Sequence, residues 1–156
     1  MMNYSIAIDT REKIPWCLNH ELYDIYKKKL DTGDYSIIGY EEVITIDRKK
    51  SVDEIATNLT RDYPRFRKEL IRMTSFKEAY FICEFSLDDL LKYPNSINTR
   101  IRISGKSLFK QIETIQEKYR VKFIFASDRF EAQKIALDIF QNFIDKYGLP
   151  NVETNS

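Results

Sequence analysis

The stretch Thr32–Glu54, TGDYSIIGYEEVITIDRKKSVDE, decides the fold. Asp34–Ile38 and Glu42–Arg48 read as two strands joined by a turn around Gly39, and the second is rich in β-branched residues. Ser51 then opens a helix, with Glu54 three residues on as its capping partner. Along a strand, residues two apart share a face. Asp47 and Lys49 therefore project together, whereas Ile46 and Arg48 face the other way. The hairpin brings Asp34 close to that pair. Asp9, at the end of an earlier strand Ser5–Asp9, is placed to enter the same pocket.

Upstream, Arg11–Trp16 is a loop and Leu18–Lys29 reads as a helix with a basic end. Downstream, helices are expected at Pro64–Thr74, Leu87–Lys92, Ser107–Lys118 and Phe130–Tyr147. Strands are expected at Ala79–Phe85, a buried apolar run, and at Val121–Phe125. This alternation predicts an α/β sandwich with a mixed central sheet flanked by helices. Residues 1–148 are expected to form one domain and 149–156 a short tail.

Composition narrows the function. Hydrophobic residues make up 43% and charged residues 31% of 156, the balance of a globular protein. No apolar run suits a membrane span, and Met1–Thr10 lacks a signal-peptide pattern, so an intracellular, cytoplasmic protein without membrane partners is expected. Cys17 and Cys83 match no zinc spacing, and His20 is the single histidine, which argues against a zinc site or a histidine-based triad. The net charge of +1 gives no bulk attraction to nucleic acid. Cations cluster locally, however: Arg61, Arg65, Arg67, Lys68 and Arg72 in one segment, and Arg100, Arg102, Lys106 and Lys110 in another with no acid. Such segments either neutralise phosphates or form solvated faces. The loop Ser104-Gly105-Lys106 is a candidate phosphate grip without Walker spacing. Trp16 stands between base stacking and covering a core edge, with the core favoured.

Carboxylates beside a lysine suit phosphodiester hydrolysis. Hard oxygen ligands take Mg²⁺ or Mn²⁺, the metal activates water, and a lysine orients water or phosphate. Asp–x₁₂–Asp–x–Lys alone is a weak pattern, since exposed strand-end charges produce it often.

More residues sharpen it. Ile8-Asp9-Thr10-Arg11-Glu12, Thr32-Gly33-Asp34-Tyr35, Ile46-Asp47-Arg48-Lys49 with Asp53, the segment Leu59-Thr60-Arg61 with Arg65-Phe66 and Glu69-Leu70, and Ile82-Cys83-Glu84-Phe85 occur in that order. Together they resemble the XPF-type structure-specific nuclease domain of the PD-(D/E)XK nucleases, from Ile8 to about Phe143. The resemblance implies a restriction-endonuclease-like three-layer sandwich and a metal-dependent endonuclease for branched, flapped or junction DNA in repair, recombination or replication. It implies Asp34 and Asp47 as metal ligands with Asp9 contributing, Lys49 as the water- or phosphate-positioning base, and Arg48 as a holder of a neighbouring loop or carboxylate. Arg11 is implied beside the metal pocket, and Arg61, Arg65, Arg100, Arg102 and Lys106 are candidate DNA contacts. Asp53 fits either the family pattern or the first turn of a helix.

Asp47 replaces the family's usual glutamate, a change that bears on metal preference. The family's tandem helix-hairpin-helix module does not fit in the eight residues after Gly148, which points to the small phage, bacterial or archaeal forms. No small-molecule cofactor is implied. A homodimer is expected through Phe130–Tyr147, where Ile135, Ile139 and Phe143 form one stripe and Phe140, Ile144 and Tyr147 an adjacent one: either one stripe packs on the sheet and leaves the other for a partner, or the whole apolar face is buried in its own core. The competing class is a non-catalytic DNA-binding or partner subunit. Such subunits typically lose the acidic–lysine set that this chain keeps.

Overall fold

The computed structural model describes residues 4–18, 23–94 and 103–151. Six strands form one mixed sheet: β1 (Ser5–Ile8), β2 (Asp24–Lys27), β3 (Tyr35–Ile37), β4 (Ile44–Lys49), β5 (Glu78–Cys83) and β6 (Lys122–Phe125), in the order β2-β1-β3-β4-β5-β6. β3 runs antiparallel to both β1 and β4, while the pairs β1–β2, β4–β5 and β5–β6 are parallel. Five helices connect or cover them: α1 (Val52–Leu59), α2 (Tyr63–Met73), α3 (Leu87–Leu91), α4 (Gly105–Tyr119) and α5 (Arg129–Tyr147). No helix among the described residues is long and apolar enough to cross a membrane.

Alternation along the central strands divides the core into two layers. Ala79, Phe81 and Cys83 of β5 pack with Ile55, Phe66, Leu70, Leu108 and Ile112 from α1, α2 and α4. Ile82 of β5 joins Ile44 and Ile46 of β4 against Ala132, Ala136, Phe140 and Phe143 of α5. The expected three-layer α/β/α sandwich is present. Each buried aromatic or branched side chain contributes roughly 1.5–3 kcal/mol, so both layers carry substantial weight.

Two expectations need correction, and a third point left open is decided. The segment 24–27 is a strand, not part of a helix: Asp24 to Lys27 pair in parallel register with Ser5 to Ile8. Without β2, the outer edge of β1 would present unpaired backbone groups, and only an extended segment can satisfy them. The basic end of this segment is a sheet edge, where Lys28 reaches Glu41 at 2.6 Å, and edge lysines discourage further strand pairing.

Ser104-Gly105-Lys106 is the start of α4, not a flexible loop. Ser104 caps it by accepting from Ser107 N at 3.1 Å. Gly105 lets α4 approach α3, since a Cβ there would lie 2.1 Å from the Leu90 carbonyl oxygen.

On α5 the structure decides which residues face the sheet. Phe140, Phe143 and Ile144 are buried with Ala132 and Ala136, while Ile135 and Ile139 are only partly buried on the flank. The two alanines allow the helix close to the sheet, so the inward stripe is centred on them and not on Ile135.

Candidate active site

Asp47 and Lys49 face the α1/α2 layer, on the same side of the sheet as Phe81 and Cys83, their register partners on β5. The Lys49 ammonium lies 3.3 Å from Asp47 Oδ1 and 3.8 Å from Glu54 Oε1. It also sits over the rings of Phe66 and Phe81, at 5.3 and 5.5 Å. Lys49 is buried, with 5% of its surface exposed. Burial alone would favour the neutral amine, but Asp47, Glu69, Glu54 and Asp34 overcome it and raise its pKa, keeping it a cation.

Asp34 is held by the turn that precedes β3. Its N–H donates to the Ile46 carbonyl at 2.9 Å, and its Oδ2 accepts from Arg48 N at 2.8 Å. Gly33 lies at φ +76, and a Cβ would meet Thr45 Oγ1 at 2.0 Å. Any other residue there combines that clash with a left-handed backbone worth roughly 1–2 kcal/mol. Thr45 Oγ1 donates to the Thr32 carbonyl at 3.1 Å, and Arg72 Nε donates to Thr32 Oγ1 at 3.1 Å. The turn carrying Asp34 is therefore tied to β4 and to α2.

Sequence reasoning did not assign Glu69 to the site. It comes from α2, one turn beyond Phe66, and its carboxyl shares a hydrogen bond with Asp47. The i, i+3 spacing puts Phe66, Glu69 and Arg72 along one side of that helix. They meet Lys49, Asp47 and Thr32 in turn. Burial and then the Asp47 charge raise the proton affinity of both Asp34 and Glu69 well above the ordinary carboxylate range. Three carboxyls thus crowd one lysine.

Arg48 turns to the opposite side of the sheet, as the alternation predicts. Its guanidinium bonds Glu84 through Nε, Glu12 Oε2 at 3.2 Å and the Ile14 carbonyl at 2.7 Å. Trp16 completes this network: Nε1 donates to Glu84 at 2.7 Å, and the ring stacks on Tyr35 at 4.4 Å. Tyr35 Oη accepts from Trp16 N at 2.9 Å and donates to Glu12 at 3.0 Å. With 2% of its surface exposed, Trp16 offers no face for a base and belongs to the core.

Asp9 is buried and fully engaged. It accepts from Leu30 N and Arg11 Nε, both at 2.8 Å. Burial opposes its ionisation, but these donors win and lower its pKa. Arg11 also donates to the Leu30 carbonyl at 2.7 Å and lies within electrostatic range of Asp34. The structure therefore brings Asp34, Asp47, Lys49 and Glu69 together, with Asp9 behind them locking Arg11 and the 28–31 segment. Asp53 is exposed in the first turn of α1. Arg61 and Arg65 are exposed at the α1–α2 corner and Lys106 on the first turn of α4, while Arg100, Arg102 and His20 lie outside the described residues. Cys83 is buried in the core and Cys17 exposed.

No protein-family model and no curated protein matches this sequence. Solved structures do. XPF from Aeropyrum pernix in complex with DNA matches over 92% of this chain and 66% of its own, with TM-score 0.67 and 18% identity. The fold is that of an XPF nuclease. A second structure of XPF from Aeropyrum pernix matches with TM-score 0.69 and 17% identity over 91% of this chain and 67% of its own. This chain thus spans about two thirds of the XPF chains it resembles.

Among the described residues, no three Asp, Glu, His or Cys side chains converge as a formed coordination sphere. The donor set nevertheless fits a hard cation. Asp34, Asp47 and Glu69 offer oxygen ligands and repel one another, with buried Lys49 beside them and Arg11 within electrostatic range of Asp34.

Proposed function

We propose that this protein is a metal-dependent endodeoxyribonuclease that hydrolyses phosphodiester bonds in branched, flapped or junction DNA. The observation that carries this reading is the charge imbalance at Asp34, Asp47 and Glu69 beside a buried, cationic Lys49. The likeness to an XPF structure determined with DNA supports it.

Asp34 and Asp47 would hold Mg²⁺ or Mn²⁺, with Glu69 as a further carboxylate against Asp47. A bound divalent cation lowers the pKa of water and stabilises phosphoryl charge. Lys49, cationic and pinned by two rings and Asp47, cannot readily take a proton. It acts by orienting the attacking water or a phosphate oxygen through charge and hydrogen bonding. Arg11, held by Asp9 and 66% exposed at its side chain, presents its charge toward solvent beside Asp34 and steers a phosphate. In this scheme Asp9 acts through Arg11, a different part from that of a metal ligand. Arg48 holds the Glu12–Trp16 loop behind β4. Arg61, Arg65, Arg100, Arg102 and Lys106 are proposed contacts to the DNA backbone. A homodimer would place two such sites on one substrate.

The test is incubation of the full chain with labelled flap, fork, junction and linear DNAs in Mg²⁺, Mn²⁺ or EDTA. Cleavage in either metal and none in EDTA is expected, with branched substrates cut fastest. The same metals should raise Tm by a few degrees, since ligand at about a hundred times its Kd adds roughly 2.7 kcal/mol. Failure to cut any DNA in either metal overturns the catalytic reading and favours the non-catalytic partner.

A further inference from the structure

A second charged cavity lies at the opposite end of the central strands from the carboxylates. Glu78 pairs with Ile44 at the start of β5, whereas Cys83 pairs with Lys49 at its end. Five steps of strand, roughly 17 Å, separate the two levels. The cavity measures about 310 Å³, and Lys77, Arg120, Lys122 and Lys146 line it with Glu78 as the single acid in the lining. A chain of net charge +1 thus gathers four cations around one space.

Among the described residues, no ion pair closes on any of these four cations, although Glu78 lies within electrostatic range of Lys146. Glu78 is turned to the Tyr80 hydroxyl. The ammoniums of Lys77 and Lys146 approach the Tyr147 ring at 4.7 and 5.0 Å. Arg120 also borders a neighbouring cavity that includes Glu113 and Glu117, and neither carboxylate comes within ion-pair distance of it.

The backbone of Arg120 is an independent observation. It caps α4 in the left-handed region, at φ 56 and ψ 34, and is the one non-glycine residue with positive φ among the described residues. Capping uses only its N–H, which donates to the Gln116 carbonyl at 3.1 Å. Glycine would serve the cap with less strain. The cap itself makes no use of the guanidinium.

We propose that this cavity is a second phosphate-binding site, taking the backbone of a DNA arm whose scissile end lies at the carboxylates. The inference rests on the nuclease reading above. The four cations come from the start of β5, the α4–β6 junction and the end of α5, a spread suited to an extended polyanion. A separation of roughly 17 Å corresponds to about five base pairs of duplex.

Arg120→Gly tests this without endangering the fold, because it relieves the backbone while removing the charge. Affinity for a labelled duplex would be read by fluorescence anisotropy in EDTA across a salt series. The parent, Arg120→Gly, Arg120→Gly/Lys122→Gln, and the exposed control Lys134→Gln would be compared. The slope of log affinity against log salt should fall by about 1 in the single variant and about 2 in the double. The control should keep the parent slope, and the Tm of Arg120→Gly should equal or exceed the parent's. Parent-like affinity and slope in both cavity variants overturn this inference and leave the nuclease reading standing. A parent that binds no DNA overturns both. If the variants keep DNA affinity but lose thermal stabilisation by pyrophosphate, the cavity takes a small phosphate compound and the DNA assignment is wrong.

Discussion

The two faces of β4 treat charge in opposite ways. Behind the strand, Arg48 is bonded to Glu12, Glu84 and a backbone carbonyl, and its guanidinium lies 5.4 Å from the Trp16 ring. One cation meets two carboxylates, and both carboxylates find further donors in Tyr35 and Trp16. In front, Asp47, Asp34 and Glu69 share a single lysine, and two of the three carboxyls are pushed toward their protonated forms. Consecutive residues of one strand thus build a closed network and an open one. Closed networks hold a fold together, whereas an unsatisfied cluster stores the electrostatic demand that a functional site uses.

The largest effect should come from the open face. Asp47→Asn, or Asp34→Asn, should lower metal-dependent cleavage at least about a hundredfold, because even partners of metal ligands are worth 10–100-fold. Asp34→Asn should fold with a metal-free Tm near the parent's, because Asp34 is already pushed toward its neutral form, whereas Asp47→Asn removes the carboxylate paired with buried Lys49 and should lower it. Lys49→Ala should lower turnover more than DNA affinity. Gel-based cleavage beside thermal melts checks these outcomes; an Asp47→Asn protein cutting at the parental rate would erase the functional distinction between the faces.

The closed face should respond in stability. Arg48→Met strands Glu12 and Glu84 in a nearly buried site, and breaking a buried pair from one side costs about 3–5 kcal/mol. Urea denaturation should show the unfolding free energy reduced by that amount, with a correspondingly lower midpoint. A loss under about 1 kcal/mol would mean that Arg48 is not the keystone of the loop, and an activity loss in a stably folded Arg48→Met would move Arg48 into the chemistry.

Glu69→Gln should have the smallest effect of the three and sharpens the comparison most. The amide keeps a donor toward Asp47, as the protonated carboxyl does, but cannot ionise to meet a metal. Stability should hold, while the metal concentration needed for half-maximal cleavage should increase about tenfold. An unchanged metal requirement would make Glu69 a packing residue that merely happens to lie beside Asp47.

Much of this was legible along the chain because it is local. Strand alternation alone placed Asp47 with Lys49 and sent Arg48 away, and the Gly33 turn with the Gly39 hairpin brought Asp34 within reach. Ser51 caps α1 as its side chain predicts, accepting from Glu54 N at 3.2 Å, although the Glu54 carboxylate returns to Lys50 N at 3.2 Å and not to Ser51 N. The fold class followed from the same periodicities, since strands and helices that each bury one side have few ways to stack.

What the sequence determined by itself was therefore which side chains share a face of one element. Tertiary structure decided which elements share a space. The segment 24–27 became a strand because β1 had an edge to satisfy, a demand written 15 or more residues away. Glu69 entered the site because α2 packs over Phe81 through Phe66, at 5.4 Å between rings; Glu69-Leu70 belongs to the segment that carries the family resemblance, but nothing local gave the carboxyl a role beside Asp47. Asp9, read as a contributor to the metal pocket, proved to be bonded to Arg11 and the Leu30 N–H, partners that its own strand does not announce. Backbone geometry fixes direction over a few residues, but the charge state and partners of a buried carboxylate depend on every dipole and ion that packing brings within a few ångströms.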